Sequence, residues 1–280
     1  MKSSKLETPD SREASNSKTE PSIHPTAIVH PEAEIGDGCR IGPYCTVGEH
    51  VDLGPECILH SHVVIDGHAR LGRGNEVYPF TTIGLKTQDL KWKGGLTRTE
   101  LGDFNTIREG VTIHSATGDG EVTKIGSHNS ILSGSHIGHN VIMGDHIVVS
   151  MAGVAGHVSV EDHAIVGGMC AVHQFCRVGK LSMIAGCAKV VQDVPPFMLV
   201  DGNPAETCTI NKVGLERNGV SEEAINALRQ AYKIIFREGL TIANALSRVD
   251  QELPPLPEIK YLVQFIRTSE RGVTKYDNTK

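Results

Sequence analysis

Aromatic side chains are scarce in this chain: Phe, Trp and Tyr together make up 4% of its 280 residues. A wide globular core needs that bulk, so a narrow core of small aliphatic side chains is the better expectation, and the 30 glycines suit close packing of backbone. No apolar run is long enough to cross a bilayer, and residues 1–22 lack the apolar centre of a secretory signal. The expectation is a cytoplasmic protein without an integral membrane segment. Surplus positive charge is missing too: a formal net charge of -6 gives no support to binding of nucleic acid or of an anionic membrane. The seven cysteines include no CxxC pair, which argues against a disulfide framework or a zinc knuckle.

What the chain does have is a repeat. Aliphatic residues stand at Ile23, Val29, Ile35, Ile41, Val47, Leu53, Leu59, Ile65, Leu71, Val77 and Ile83, a period of six that neither an α-helix nor an antiparallel meander produces. This is the pattern of a parallel β-helix, with three sixes closing one triangular turn. The residue four places after the aliphatic one tends to be small, as at Ala27, Ala33, Cys39, Cys45, Val51 and Cys57. Cys170 and Cys176 occupy the same slot, so five cysteines read as core filler.

Two polar excursions, near 84–100 and 114–124, interrupt the repeat without losing its phase. Loops on a rigid repeat are where function tends to sit. One step, from Val149 to Val154, is a residue short and predicts a local irregularity near His157. Consecutive prolines after Gln192 end the repeat, because they cannot continue a strand ladder. Beyond a loop, Ser221 caps an expected helix whose apolar face is Ile225, Leu228, Tyr232 and Ile235 and whose stop is Gly239. Further helices are expected at about 241–252 and 258–271. The chain is therefore expected to be mainly β, with a disordered tail at 1–22, a parallel β-helix over 23–196, and a connecting loop plus a small helical domain over 197–280.

On the later coils His136, His139, His157 and His173 stand in SHIGHN, AGHVSV and GGMCAVHQF. Preceded by IHPTAIVHP, the QDLKW loop and REGVTIH and followed by QDVPP and GLERNG, these segments resemble the bacterial UDP-N-acetylglucosamine O-acyltransferases that begin lipid A synthesis. The resemblance covers roughly residues 23–270. It implies a left-handed coil, a homotrimer with active sites in clefts between neighbouring prisms, and no metal or cofactor. It also implies transfer of an (R)-3-hydroxyacyl chain from acyl carrier protein to the 3-hydroxyl of UDP-N-acetylglucosamine.

A sugar hydroxyl attacks a thioester at neutral pH only with help from a base, and histidine is the side chain suited to that task. His139 matches the family's base, although the residues alone leave His157 open for that role. Gly156 matches the backbone donor to the oxyanion. The resemblance gives substrate contacts to Gln88, Asp89, Lys91, His136, His157, His173 and Gln174, nucleotide contacts to Asn211 and Arg217, and control of acyl-chain length to Gly186. Glycine at 186 implies an open groove and a long acyl chain. Arg229, Lys233 and Arg237 offer a basic helix face to an acidic carrier protein, or simply a solvated face.

The chain departs from the family at three places. Asn140 follows the base where Asp is common, Val213 stands where an acidic residue is frequent, and Asn218 where a second arginine is. Two alternatives stay open on the sequence: an N-acyltransferase acting on a nucleotide-linked amino sugar, and a zinc carbonic anhydrase built on the same coil.

Overall fold

A computed structural model describes residues 19–275; most of the expected N-terminal tail lies outside them. Short strands run from β1 (Ser22–Ile23) to β26 (Lys189–Val190) and lie in three parallel sheets. Each strand pairs with the third strand before and after it, so β1 bonds to β4 (Arg40–Ile41) and β4 to β7 (Ile58–Leu59). Three sixes thus make one coil, as the period predicts.

The register explains why the sequence must repeat. Leu71 pairs with Leu101 and Leu101 with Ile125, although 30 and 24 residues separate them instead of 18. The middle of each excursion is extruded while its last residues, 98–100 and 122–124, are already paired in the sheet, and every inward aliphatic residue lands on the one beneath it. Gly84, at the start of the first excursion, has φ +81, and a Cβ there would lie 2.2 Å from the Asp66 carbonyl oxygen. Only glycine fits at that point, where the strand register shifts between Ile83 and Leu85 before the chain turns out into the excursion.

The core is one column of fully buried aliphatic side chains, with Cys39, Cys45, Cys57, Cys170 and Cys176 buried in it as expected. In successive coils the small-residue slot holds Asn75, Asn105 and Asn129, which are almost wholly buried. Their amides bond one another and backbone: Asn105 Nδ2–H donates to Asn75 Oδ1 at 2.9 Å, and Asn129 Oδ1 accepts from the Ile147 N–H at 2.7 Å. Hydrogen bonds made in this way offset the cost of taking these amides out of water. Truncating a core side chain leaves a cavity that a stacked coil cannot collapse. Ile131→Ala, at a fully buried position, is expected to cost about 2–5 kcal/mol, read from the shift in the denaturant midpoint.

Two expectations need correction. The shortened step does not disturb the backbone at His157, whose N–H donates to the His139 carbonyl at 3.0 Å as a regular corner requires. The lost residue is absorbed one corner earlier, at Met151 (φ 43), and the strands beyond it stay paired, Ile137 with Val154. Nor is the segment after the prolines a plain loop. Strand β27 (Met198–Gly202) adds a parallel rung to β25 (Met183–Ile184), then β28 (Ala205–Ile210) doubles back antiparallel to it.

Beyond this hairpin come α1 (Lys212–Arg217), α2 (Glu222–Phe236), α3 (Ile242–Glu252) and α4 (Pro257–Arg267), the last ending four residues before the expected 271. Ser221 caps α2 by accepting from the Ala224 N–H. The helices bury a second core around Phe197, Leu228 and Leu262. They are tied to the coil where the Arg177 guanidinium lies 3.9 Å over the Phe265 ring and the Tyr261 hydroxyl donates to Glu161 at 2.8 Å. Among the described residues no helix is long and apolar enough to cross a membrane.

Candidate active site

A strand points its flanking residues outward wherever the middle one points in. Along the nine-stranded sheet, from β14 (Thr112–His114) through β17 (His136–Ile137), β20 (Gly153–Val154) and β23 (Ala171–Val172) to β26, the inward column is Ile113, Ile137, Val154, Val172 and Val190. The outward neighbours form two columns. Before the aliphatic residue stand His136, Gly153, Ala171 and Lys189; after it stand His114, Gly138, Ala155, His173 and Val191. These residues line a cleft of about 810 Å3, with His139, Gly156 and Gln174 one place further on and Gln88, Asp89 and Lys91 from the first excursion completing its wall. Small residues at 153, 155, 156 and 171 keep the floor clear.

The structure therefore brings together most of the expected site: Gln88, Asp89, Lys91, His136, His139, Gly156, His173 and Gln174. His114 was not among the expected residues, although its slot, taken by glycine in Gly84 and Gly138, marks it as outward-facing. His157 does not line the cleft. Its ring lies edge-on to His139, with centroids 5.1 Å apart, and stacks on Phe175 at 4.7 Å. Gly186 also lies off the cleft lining; a Cβ there would meet only the Gly168 carbonyl oxygen, at 3.4 Å.

Asn211 is turned inward. Its amide N–H donates to the Leu181 carbonyl at 2.9 Å and its amide oxygen caps α1 by accepting from the Gly214 N–H at 3.1 Å. The sequence expectation of a nucleotide contact meets here a buried side chain occupied by the fold. Arg217, in the last turn of α1, is exposed, as are Lys212, Val213, Glu216 and Asn218 around it.

The tautomer of His139 can be derived. Asn140 Oδ1 takes the Thr117 backbone N–H at 3.0 Å, and a backbone N–H can only donate. The amide nitrogen then faces Glu121, donating at 2.7 Å. His139 Nδ1 lies 2.9 Å from that same Oδ1, so Nδ1 must carry the proton and Nε2 the free lone pair. Nε2 stands 3.8 Å from Asp89 Oδ2, too far for a hydrogen bond. It points at Gly156: a Cβ built there would sit 2.3 Å from Nε2. Among the described residues the Gly156 N–H donates to no group.

Burial pushes the His114, His136 and His157 imidazoles below the ordinary value of 6.5, and nearby His139 acts in the same direction. Depressed folded values mean that the fold favours their neutral forms. The stability they contribute is complete above about pH 6.5 and is lost as the pH falls through it toward the folded values. The melting temperature should therefore fall between about pH 7.5 and about pH 5, and by less in His114→Gln.

The helical end, residues 193–274, matches the family model described as UDP-N-acetylglucosamine O-acyltransferase, domain 2, and residues 32–67 match the bacterial transferase hexapeptide repeat. Among solved structures, LpxA from Acinetobacter baumannii is 44% identical, with 90% of this chain and 99% of that one covered and a TM-score of 0.87. LpxA from Bacteroides fragilis, a UDP-N-acetylglucosamine acyltransferase, is 38% identical over 90% and 100% of the two chains, with a TM-score of 0.88. The UDP-N-acetylglucosamine acyltransferase of Arabidopsis is 35% identical over 90% and 100%, with a TM-score of 0.80. The coil is accordingly a left-handed parallel β-helix, an exception to the right-handed crossover rule. Identity at this level over nine tenths of the chain places the protein, as an acyltransferase, in the UDP-N-acetylglucosamine O-acyltransferase family.

Proposed function

We propose that this enzyme moves an (R)-3-hydroxyacyl chain from acyl carrier protein to the 3-hydroxyl of UDP-N-acetylglucosamine, the first step of lipid A synthesis, by direct attack. His139 Nε2 takes the proton of the hydroxyl as its oxygen bonds to the thioester carbon. The carbonyl electrons move onto oxygen, and the Gly156 N–H donates to that oxyanion. Collapse breaks the carbon–sulfur bond, and the thiolate recovers the proton from His139. No covalent acyl-enzyme and no metal takes part.

One observation carries the reading: the free lone pair of His139 faces the surface of Gly156 that lacks a side chain. A base and an unoccupied N–H donor thereby converge on one small volume, as attack on a thioester requires. Asp89 and Lys91 are suited to sugar hydroxyls and diphosphate, while His136, His173 and Gln174 hold the substrate along the cleft. Arg217 offers a planar fork for phosphate at a trimer interface, with Asn211 shaping the helix that presents it. Gly186 leaves the far end of the acyl groove open, and Arg229, Lys233 and Arg237 attract the carrier protein from the exposed face of α2.

The test is reaction of the purified full-length protein with UDP-N-acetylglucosamine and a length series of 3-hydroxyacyl carrier proteins, read by mass spectrometry. A UDP-3-O-acyl product, formed best with a long chain, is expected. Acylation of only a nucleotide-linked amino sugar would replace this reading with the N-acyltransferase one.

A further inference from the structure

The base site contains a charged group that the reading above does not use. Glu121, at the end of the second excursion, accepts from the Asn140 amide at 2.7 Å and from the Gly118 N–H at 2.7 Å. Asn140 in turn accepts from His139 Nδ1–H. The side chains thus form one directed chain, imidazole to amide to carboxylate, with each donor and acceptor fixed by the Thr117 N–H at its centre. Asn140 can hold this position because it is a corner residue with φ 58, a conformation asparagine tolerates, and its own N–H is tied to Thr123 Oγ1 at 2.8 Å.

We propose that Glu121 is a positioning residue for the acyl transfer, supplying through Asn140 the negative charge that supports the protonated base. An amide alone orients an imidazole but brings no counter-charge to the imidazolium formed during attack. A carboxylate hydrogen-bonded to the far side of that amide polarises it and restores the charge one bond further out. Glu121 is held ionised, since the Asn140 amide and the Gly118 N–H shift its carboxyl below the ordinary range.

Other charged or titratable groups face this corner. Asp89 and Lys91 lie on the Nε2 side, where substrate would enter, and His114, His136 and His157 are neutral neighbours held so by burial. Glu121 is alone among them in reaching the Nδ1 side through a hydrogen-bonded amide.

The inference rests on His139 being the base, and the two can fail separately. Glu121→Gln keeps an acceptor for Asn140 and removes only the charge. The acid limb of kcat/KM should then move to lower pH by about half a unit, because the imidazolium has lost its counter-charge. Turnover should fall about tenfold, with KM for UDP-N-acetylglucosamine unchanged. Asn140→Asp alone sets two carboxylates at hydrogen-bond distance and should be impaired, whereas Asn140→Asp combined with Glu121→Ala should recover activity by placing one carboxylate directly on the imidazole. A role limited to shaping the Gly118 turn would lower the melting temperature or raise KM while leaving the acid limb in place, and that result overturns the proposal. So does equal activity of Asn140→Asp with and without the Glu121 side chain. Full activity of His139→Ala would instead overturn the base assignment beneath it.

Discussion

His139→Ala is expected to turn over about a hundred to ten thousand times more slowly than the parent protein, with its fold intact. The loss should appear in kcat, because the methyl group left behind has no lone pair for the sugar hydroxyl. Binding should change little, since the side chain's one firm hydrogen bond is to Asn140. Removing that bond costs about 1 kcal/mol, too little to unfold the coil. His157→Ala is expected to lose less, because that ring backs His139 and lies outside the cleft lining. Single-turnover rates on the two variants, beside their circular dichroism, make the comparison. Equal losses would return the base assignment to the ambiguity present in the sequence.

Gly156→Ala is expected to be nearly as damaging for a steric reason. The added methyl would fall 2.3 Å from His139 Nε2 and 2.4 Å from its Cε1, well inside van der Waals contact. Either the imidazole swings out of the cleft, losing its bond to Asn140, or the corner shifts and the N–H no longer points at the oxyanion. In the proposed mechanism both outcomes remove groups that act on the same carbonyl, and a loss of about a hundredfold or more in kcat is expected. Gly153 on the same sheet is a useful contrast, because a Cβ there meets nothing within 4 Å. Gly153→Ala narrows the cleft floor, so its effect should fall on KM. A Gly156→Ala enzyme with the parent's kcat would show that the space over His139 is not where the acyl carbonyl sits.

Much of this arrangement is legible in the sequence because a β-helix converts order into position. Once Ile113, Ile137, Val154 and Val172 are known to point inward, their neighbours must point outward in stacked columns, and His136, Gly138 and His173 follow. The same rule would have found His114, which stands where other coils carry glycine. The hairpin of β27 and β28 is harder to read, since consecutive prolines end the period before one further rung is added. Asn211 shows what matching by motif leaves out: its amide caps a helix that the sequence reads as loop.

Glu121 could not be found from spacing alone. It belongs to an excursion outside the repeat, and only the folded corner carries it to Asn140. The same corner resolves what the departure at position 140 means. Asparagine preserves the direction of the hydrogen bond to Nδ1, and with it the lone pair on Nε2. The shortened step before Val154 proves harmless to that geometry, since the strands on either side keep their pairing.

The acyl-transfer assignment is tested most directly by product analysis of the full-length protein incubated with UDP-N-acetylglucosamine and a 3-hydroxyacyl carrier protein, run beside His139→Ala. The expected result is a nucleotide sugar heavier by one hydroxyacyl group, attached through a base-labile ester at the 3-position, and almost none with the variant. No acylated UDP-N-acetylglucosamine from the parent protein, or the same yield from His139→Ala, would contradict it.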